Sequence, residues 1–74
     1  MNAQVILDGS GDTRHVFDPL NSEEVDRAEE RFHALTAKGF KAVALGRDGQ
    51  PGMLLRSFDP TVEQTLFIPQ LQGG

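Results

Sequence analysis

Asn21-Ser22-Glu23-Glu24-Val25-Asp26-Arg27-Ala28-Glu29-Glu30-Arg31-Phe32-His33-Ala34-Leu35-Thr36-Ala37-Lys38-Gly39 is the stretch that decides the fold. The side-chain oxygen of Asn21 can accept the free N–H groups of a first helical turn. Glu24, three residues on, completes a capping box, and Leu20 and Val25 stand where a hydrophobic staple would close. Val25, Ala28, Phe32 and Leu35 then recur at three- and four-residue intervals, while Glu23, Asp26, Arg27, Glu30 and Arg31 fall on the other faces. Lys38 suits the negative end of the helix dipole and Gly39 the left-handed position that stops it. The reading is an amphipathic helix over residues 22–38, laid on something flat.

The flanking segments supply that flat partner. Residues 4–7 read as a strand, 8–12 as a glycine-rich turn and 13–17 as a second strand, together an N-terminal hairpin closed off by Asp18-Pro19. After the helix, residues 40–45 read as a strand, 47–52 as a turn, and 53–58 as the returning strand, followed by Asp59-Pro60. A last strand over 64–68 ends at Pro69, which has no N–H for a sheet ladder and belongs at a strand end or edge. The order ββαβββ predicts an α+β fold in which one helix crosses one face of a mixed sheet. The domain is expected over residues 1–70, with 71–74 as a flexible tail.

Composition narrows the function. A chain of 74 residues with formal charge −4 and 38% hydrophobic residues can build one core but not a core plus a deep catalytic cleft, so a carrier, adaptor or binding module is expected rather than an enzyme. The five Phe, with neither Trp nor Tyr, must supply much of the buried area. The absence of Cys excludes disulfides, thiolate metal sites and a thiol nucleophile. Nothing at the N-terminus resembles a targeting signal and no window approaches a membrane span, so a cytoplasmic, monomeric protein is expected. Without a clustered Lys/Arg stripe, nucleic acid is not expected as a partner.

The tail carries the functional signal. The sequence runs Thr65-Leu66-Phe67-Ile68-Pro69-Gln70-Leu71-Gln72-Gly73-Gly74, and two final glycines arise by chance in only about one chain in two hundred. Glycines without Cβ can lie extended in a narrow enzyme channel and leave an α-carboxylate unhindered for attack at phosphorus. A cut within a longer protein leaves the same ending. From Glu63 onward the order of an acidic residue, Thr-Leu, alternating apolar residues and Leu-X-Gly-Gly resembles the end of ubiquitin, and the element order is similar to the ubiquitin-like β-grasp.

The resemblance implies an activating enzyme that uses ATP to adenylate the terminal carboxylate, followed by conjugating enzymes, a deconjugating protease and target proteins. It implies no cofactor bound by the chain itself. Carried over by position, Gly74 supplies the reacting carboxylate, Gly73 the thin neck, and Leu71 an apolar anchor for recognition. Ubiquitin has arginines where Gln70 and Gln72 stand here, so pairing with an acidic groove is lost and a dedicated, divergent or bacterial partner set is expected. Lys38 and Lys41 are the only side-chain amines for attaching another copy, which favours single attachment. Two other outcomes remain open on the same residues. One is a sulfur carrier that leaves Gly74 as a thiocarboxylate, and the other is a non-covalent β-grasp module.

The remaining polar groups read as structural. Asp8-Gly9-Ser10-Gly11-Asp12 lacks the spacing of a calcium or phosphate loop and reads as a hairpin turn. His15 and His33 are too few for a zinc site and read as boundary or surface residues. Glu29-Glu30 reads as a solvated helix face. Met53-Leu54-Leu55 and Phe58 read as core, with a partner-docking patch as the alternative.

Overall fold

A computed structural model describes residues 1–46 and 52–70; the turn over 47–51 and the tail residues Leu71, Gln72, Gly73 and Gly74 lie outside the described residues. The chain forms strands β1 (Asn2–Asp8) and β2 (Gly11–Phe17), helix α1 (Ser22–Ala37), and strands β3 (Phe40–Leu45), β4 (Met53–Leu55) and β5 (Gln64–Pro69). The strands make one mixed sheet in the order β2-β1-β5-β3-β4, in which only β1 and β5 run parallel. The α+β class and the ββαβββ order expected from sequence are therefore observed. No helix among the described residues is long and apolar enough to cross a membrane.

The helix begins as its sequence dictates, with one change of partner. Asn21 Oδ1 accepts from the backbone N–H groups of Glu23 and Glu24 at 3.1 and 3.2 Å. Glu24 Oε1 reaches past Asn21 and accepts from Asp18 N–H at 2.9 Å, because Asn21 N–H is already donated to Asp18 O. The expected staple does not form, since Leu20 is 93% exposed and only its backbone N–H serves the turn, donating to Asp18 Oδ1 at 2.9 Å. At the other end Lys38 is the C-cap, and Gly39 follows with φ 101°, a conformation that disfavours any Cβ.

Register decides which residues meet the helix. One row across all five strands reads Thr13, Ile6, Phe67, Ala42 and Leu55. Phe32 and Leu35 of α1 pack on this row around Ala42 and Phe67, with Phe40 and Phe58 at its margins. Phe32 stands edge-on to Phe67 and Phe58 at ring-centre distances of 5.8 and 5.9 Å, and Phe58 also meets Phe17 at 6.3 Å. The Phe side chains thus form the core that the composition required. Phe58 does so from a loop, because β4 ends at Leu55, short of the expected residue 58.

Two short turns hold the chain between elements in the same way. Asp8 Oδ1 accepts from both the N–H and the hydroxyl of Ser10, and Asp59 Oδ1 accepts from both groups of Thr61. These bonds, the hydroxyl first and the amide second, favour the carboxylates and lower both pKa values below the usual aspartate range. The Asp8 segment is accordingly a hairpin turn whose acceptor oxygen is taken by its own loop.

Candidate functional site

The strand that precedes the tail in sequence is the middle one of the sheet. β5 lies between β1 and β3, paired parallel to the first from Ala3↔Gln64 to Ile6↔Phe67, and antiparallel to the second from Leu45↔Gln64 to Phe40↔Pro69. Two neighbours hold the strand along its length, and Thr65 and Phe67 are buried. Ile68, Pro69 and Gln70 are exposed, so the strand surfaces at its end, beside Phe40 and just past the helix stop at Gly39. Pro69 sits at that end, where its missing N–H interrupts nothing further along. Of the residues expected to act, Gln70 is described and exposed, whereas Leu71, Gln72, Gly73 and Gly74 lie outside the described residues.

The two amines share this end of the domain. Lys38 caps the helix and is exposed, and Lys41 is exposed on β3 directly opposite Ile68. Phe40 and Ala42 on either side of Lys41 turn toward the helix, which sends Lys41 to the outer face.

That outer face, away from α1, is apolar at its centre, with the charged Asp12, Arg14 and Lys41 toward its margins. Its central row reads Arg14, Val5, Leu66, Val43 and Leu54 across the five strands. By alternation Ala3, Leu7, Val16, Ile68 and Leu45 lie on the same face. Leu54 and Val16 are each half exposed. The expectation that Met53 and Leu54 belong to the core is corrected here, since Met53 is 70% and Leu54 50% exposed while only Leu55 and Phe58 pack on the core. The cause is geometric: alternation turns Leu54 outward, and Met53 lies at the sheet corner, in the row His15, Gln4, Thr65, Ala44, Met53, one step beyond the row that Phe32 and Leu35 cover. Gly52 belongs to this face too, because a Cβ there would collide with Val43 Cγ1.

The residue that the sequence did not single out is Gln4. It is 1% exposed, its Nε2 donates to Ala28 O at 2.9 Å, and its Oε1 accepts from Arg31 Nη1 at 2.8 Å. His15 stands opposite it on β2. A lone polar residue among Val5, Ile6 and Leu7 on a strand facing a helix was the available signal.

His15 is half-buried, as a boundary residue should be, and its pKa is lowered, first by burial and second by the Arg31 cation. The folded protein therefore takes up this proton less readily than the unfolded chain. Near and below the ordinary imidazole range the unfolded state binds more protons, so His15 makes stability rise with pH and fall as pH drops below about 6.5. We expect the urea midpoint to decline from pH 7.5 to 5.5, and His15→Gln to flatten that decline. An unchanged slope in the variant would remove His15 as its cause.

His33 lies on the exposed side of α1, 3.8 Å from Glu29, and Glu29 and Glu30 are exposed. Among the described residues no three His, Cys, Asp or Glu side chains are grouped to hold a metal ion. No family model, no curated protein and no solved structure matches this chain.

Proposed function

We propose that this chain is a ubiquitin-like modifier, a β-grasp body whose C-terminal glycine carboxylate is activated by a partner enzyme and transferred to a target protein. One observation carries the reading: the central strand β5, held by a neighbour on each side, comes to the surface at Ile68, Pro69 and Gln70, the residues that immediately precede Leu71-Gln72-Gly73-Gly74 in sequence. A strand anchored on both edges transmits the grip of a partner on the body to the position of the tail. The α+β class, the single helix on one face and the central place of β5 support the β-grasp within that reading.

The chemistry is acyl transfer. A Gly74 carboxylate oxygen attacks the α-phosphorus of ATP and pyrophosphate leaves, giving an acyl adenylate. A nucleophile of the activating enzyme, a thiolate in the ubiquitin family, then attacks the carbonyl carbon and AMP leaves. An amine of the target finally displaces that nucleophile and forms an amide. The chain contributes no catalytic side chain, and its apolar outer face around Val43, Leu54 and Leu66 offers the enzymes a surface to hold.

Intact-mass analysis of the full chain, incubated with ATP and an extract of its source cells, tests this. The expected result is protein adducts that require ATP and disappear when Gly74 is deleted, with the thermal melt unchanged, since the last residues of a chain generally contribute little stability. Exchange of oxygen for sulfur at Gly74 would replace the modifier by a sulfur carrier. Adducts that persist after the deletion would refute the tail chemistry, and an ATP-independent mass with no adduct would leave a non-covalent module.

A further inference from the structure

The two edges of the sheet are built differently. β4 is only three residues long and the chain bends away at Arg56 and Ser57, which shortens the edge it presents. β2, the opposite edge, has seven residues in unbroken register with β1, from Asn2↔Phe17 to Asp8↔Gly11, with no proline and no bulge. Its outer backbone groups form a free template, and α1 lies chiefly over β3 at the other side of the sheet. Asp12 and Arg14 lie exposed on the outer face of this strand, opposite Leu7 and Val5 of β1. Neither makes an ion pair or a side-chain hydrogen bond among the described residues.

We propose that β2 pairs antiparallel with β2 of a second copy about a two-fold axis through Thr13, joining two sheets into one of ten strands. The axis stands perpendicular to the sheet, so facing residues must share a face, and the register can move only in steps that place one residue on the axis. With Thr13 on the axis, Asp12 of each copy faces Arg14 of the other, giving two opposite-charge pairs. With Asp12 or Arg14 on the axis, like charges meet. With His15 on the axis, Arg14 faces Val16 and no opposite charges pair. Of the three registers that pair at least five residues of each β2, those with Thr13, Arg14 or His15 on the axis, charge complementarity thus selects one, and selects a second copy as the occupant. The contact is short compared with stable interfaces of ~1,200 Å² and above, so the dimer is weak, half-formed at roughly 0.1 mM, in place of the monomer expected from sequence. The inference rests on the fold and not on the tail chemistry.

Sedimentation equilibrium of the full chain between about 0.01 and 1 mM tests it. The wild type should pass from monomer to dimer, and Asp12→Arg or Arg14→Asp alone should weaken association about 30-fold, since each turns two opposite-charge pairs into like-charge pairs. Both positions are exposed, so each variant should keep the wild-type melt. An equimolar mixture of the two variants should recover the dimer, because one copy then brings two cations and the other two anions to the same register. A wild type monomeric at 1 mM, a dimer indifferent to Asp12→Arg, or a mixture that stays monomeric would each overturn the proposal, as would capture of an unrelated strand by a monomeric wild type.

Discussion

Phe67→Ala is expected to destabilise the folded protein by about 3–5 kcal/mol. Phe67 is fully buried on the central strand, in the row between Ile6 and Ala42, with its ring edge-on to Phe32 at 5.8 Å. Truncating a buried phenylalanine removes the transfer energy of the ring and leaves a cavity, together about 3–5 kcal/mol. A chain of this length has a total stability of roughly 4–11 kcal/mol, so this one change removes about a quarter of it at least and nearly all of it at the low end. The site cannot easily collapse around the gap, because β5 is pinned on both sides and the helix above is held by its own caps. The matched control lies one residue away. Ile68 points to the opposite face and is 39% exposed, so Ile68→Ala should cost less than about 1.5 kcal/mol. Thermal melts of the two variants check the pair: a midpoint lowered by about 12 °C or more for Phe67→Ala, and a shift of a few degrees for Ile68→Ala. Equal effects would mean that the two faces of β5 are not buried unequally, and the register built on that difference would be wrong.

The contrast between Phe67 and Ile68 also shows what could be read from residues alone. Local signals were legible: Asn21 as the cap, Gly39 as the stop, the stripe through Ala28, Phe32 and Leu35, and the Asp8 turn all depend on neighbours within a few residues. The face on which a strand residue lies was not legible where both alternations are apolar, as in Phe40–Leu45 and Gln64–Pro69, because only pairing with distant strands decides which set meets the helix. That is why Met53 and Leu54 read as core from sequence, whereas the Leu20 staple fails for a local reason: Leu20 stays exposed while the Glu24 carboxylate accepts from Asp18 N–H. In the candidate site, Gln70 is exposed just past Pro69 and Lys38 and Lys41 are exposed beside the helix stop, because a strand ending in proline and a helix end come to the surface of the fold. The outer face around Val43, Leu54 and Leu66 required the register.

Gln4 is where this dependence on distant partners has the second largest consequence. Gln4→Ala is expected to cost about 2–4 kcal/mol, as the sum of a small cavity, a lost bond to Ala28 O and the loss of the acceptor that holds Arg31. Gln4→Met fills nearly the same volume, so it separates packing from polarity and should cost about half as much. If both variants lose the same amount, the side chain matters for its hydrogen bonds; if Gln4→Met is neutral, it matters as filler. The bond from a guanidinium is charge-assisted, so Gln4 and Arg31 should not act independently. A double-mutant cycle of Gln4→Met with Arg31→Met, followed by urea unfolding at pH 7, is expected to give a coupling of about 1–2 kcal/mol. The same pair bears on His15, which stands across from Gln4 and is held neutral partly by the Arg31 charge. Arg31→Met should therefore reduce the stability lost on acidification as well as the stability at pH 7. Additive single-variant costs combined with an unchanged acid slope would show that the Arg31 bond to Gln4 does not link the helix to the β1–β2 hairpin, leaving packing and the Gln4 bond to Ala28 O to join them.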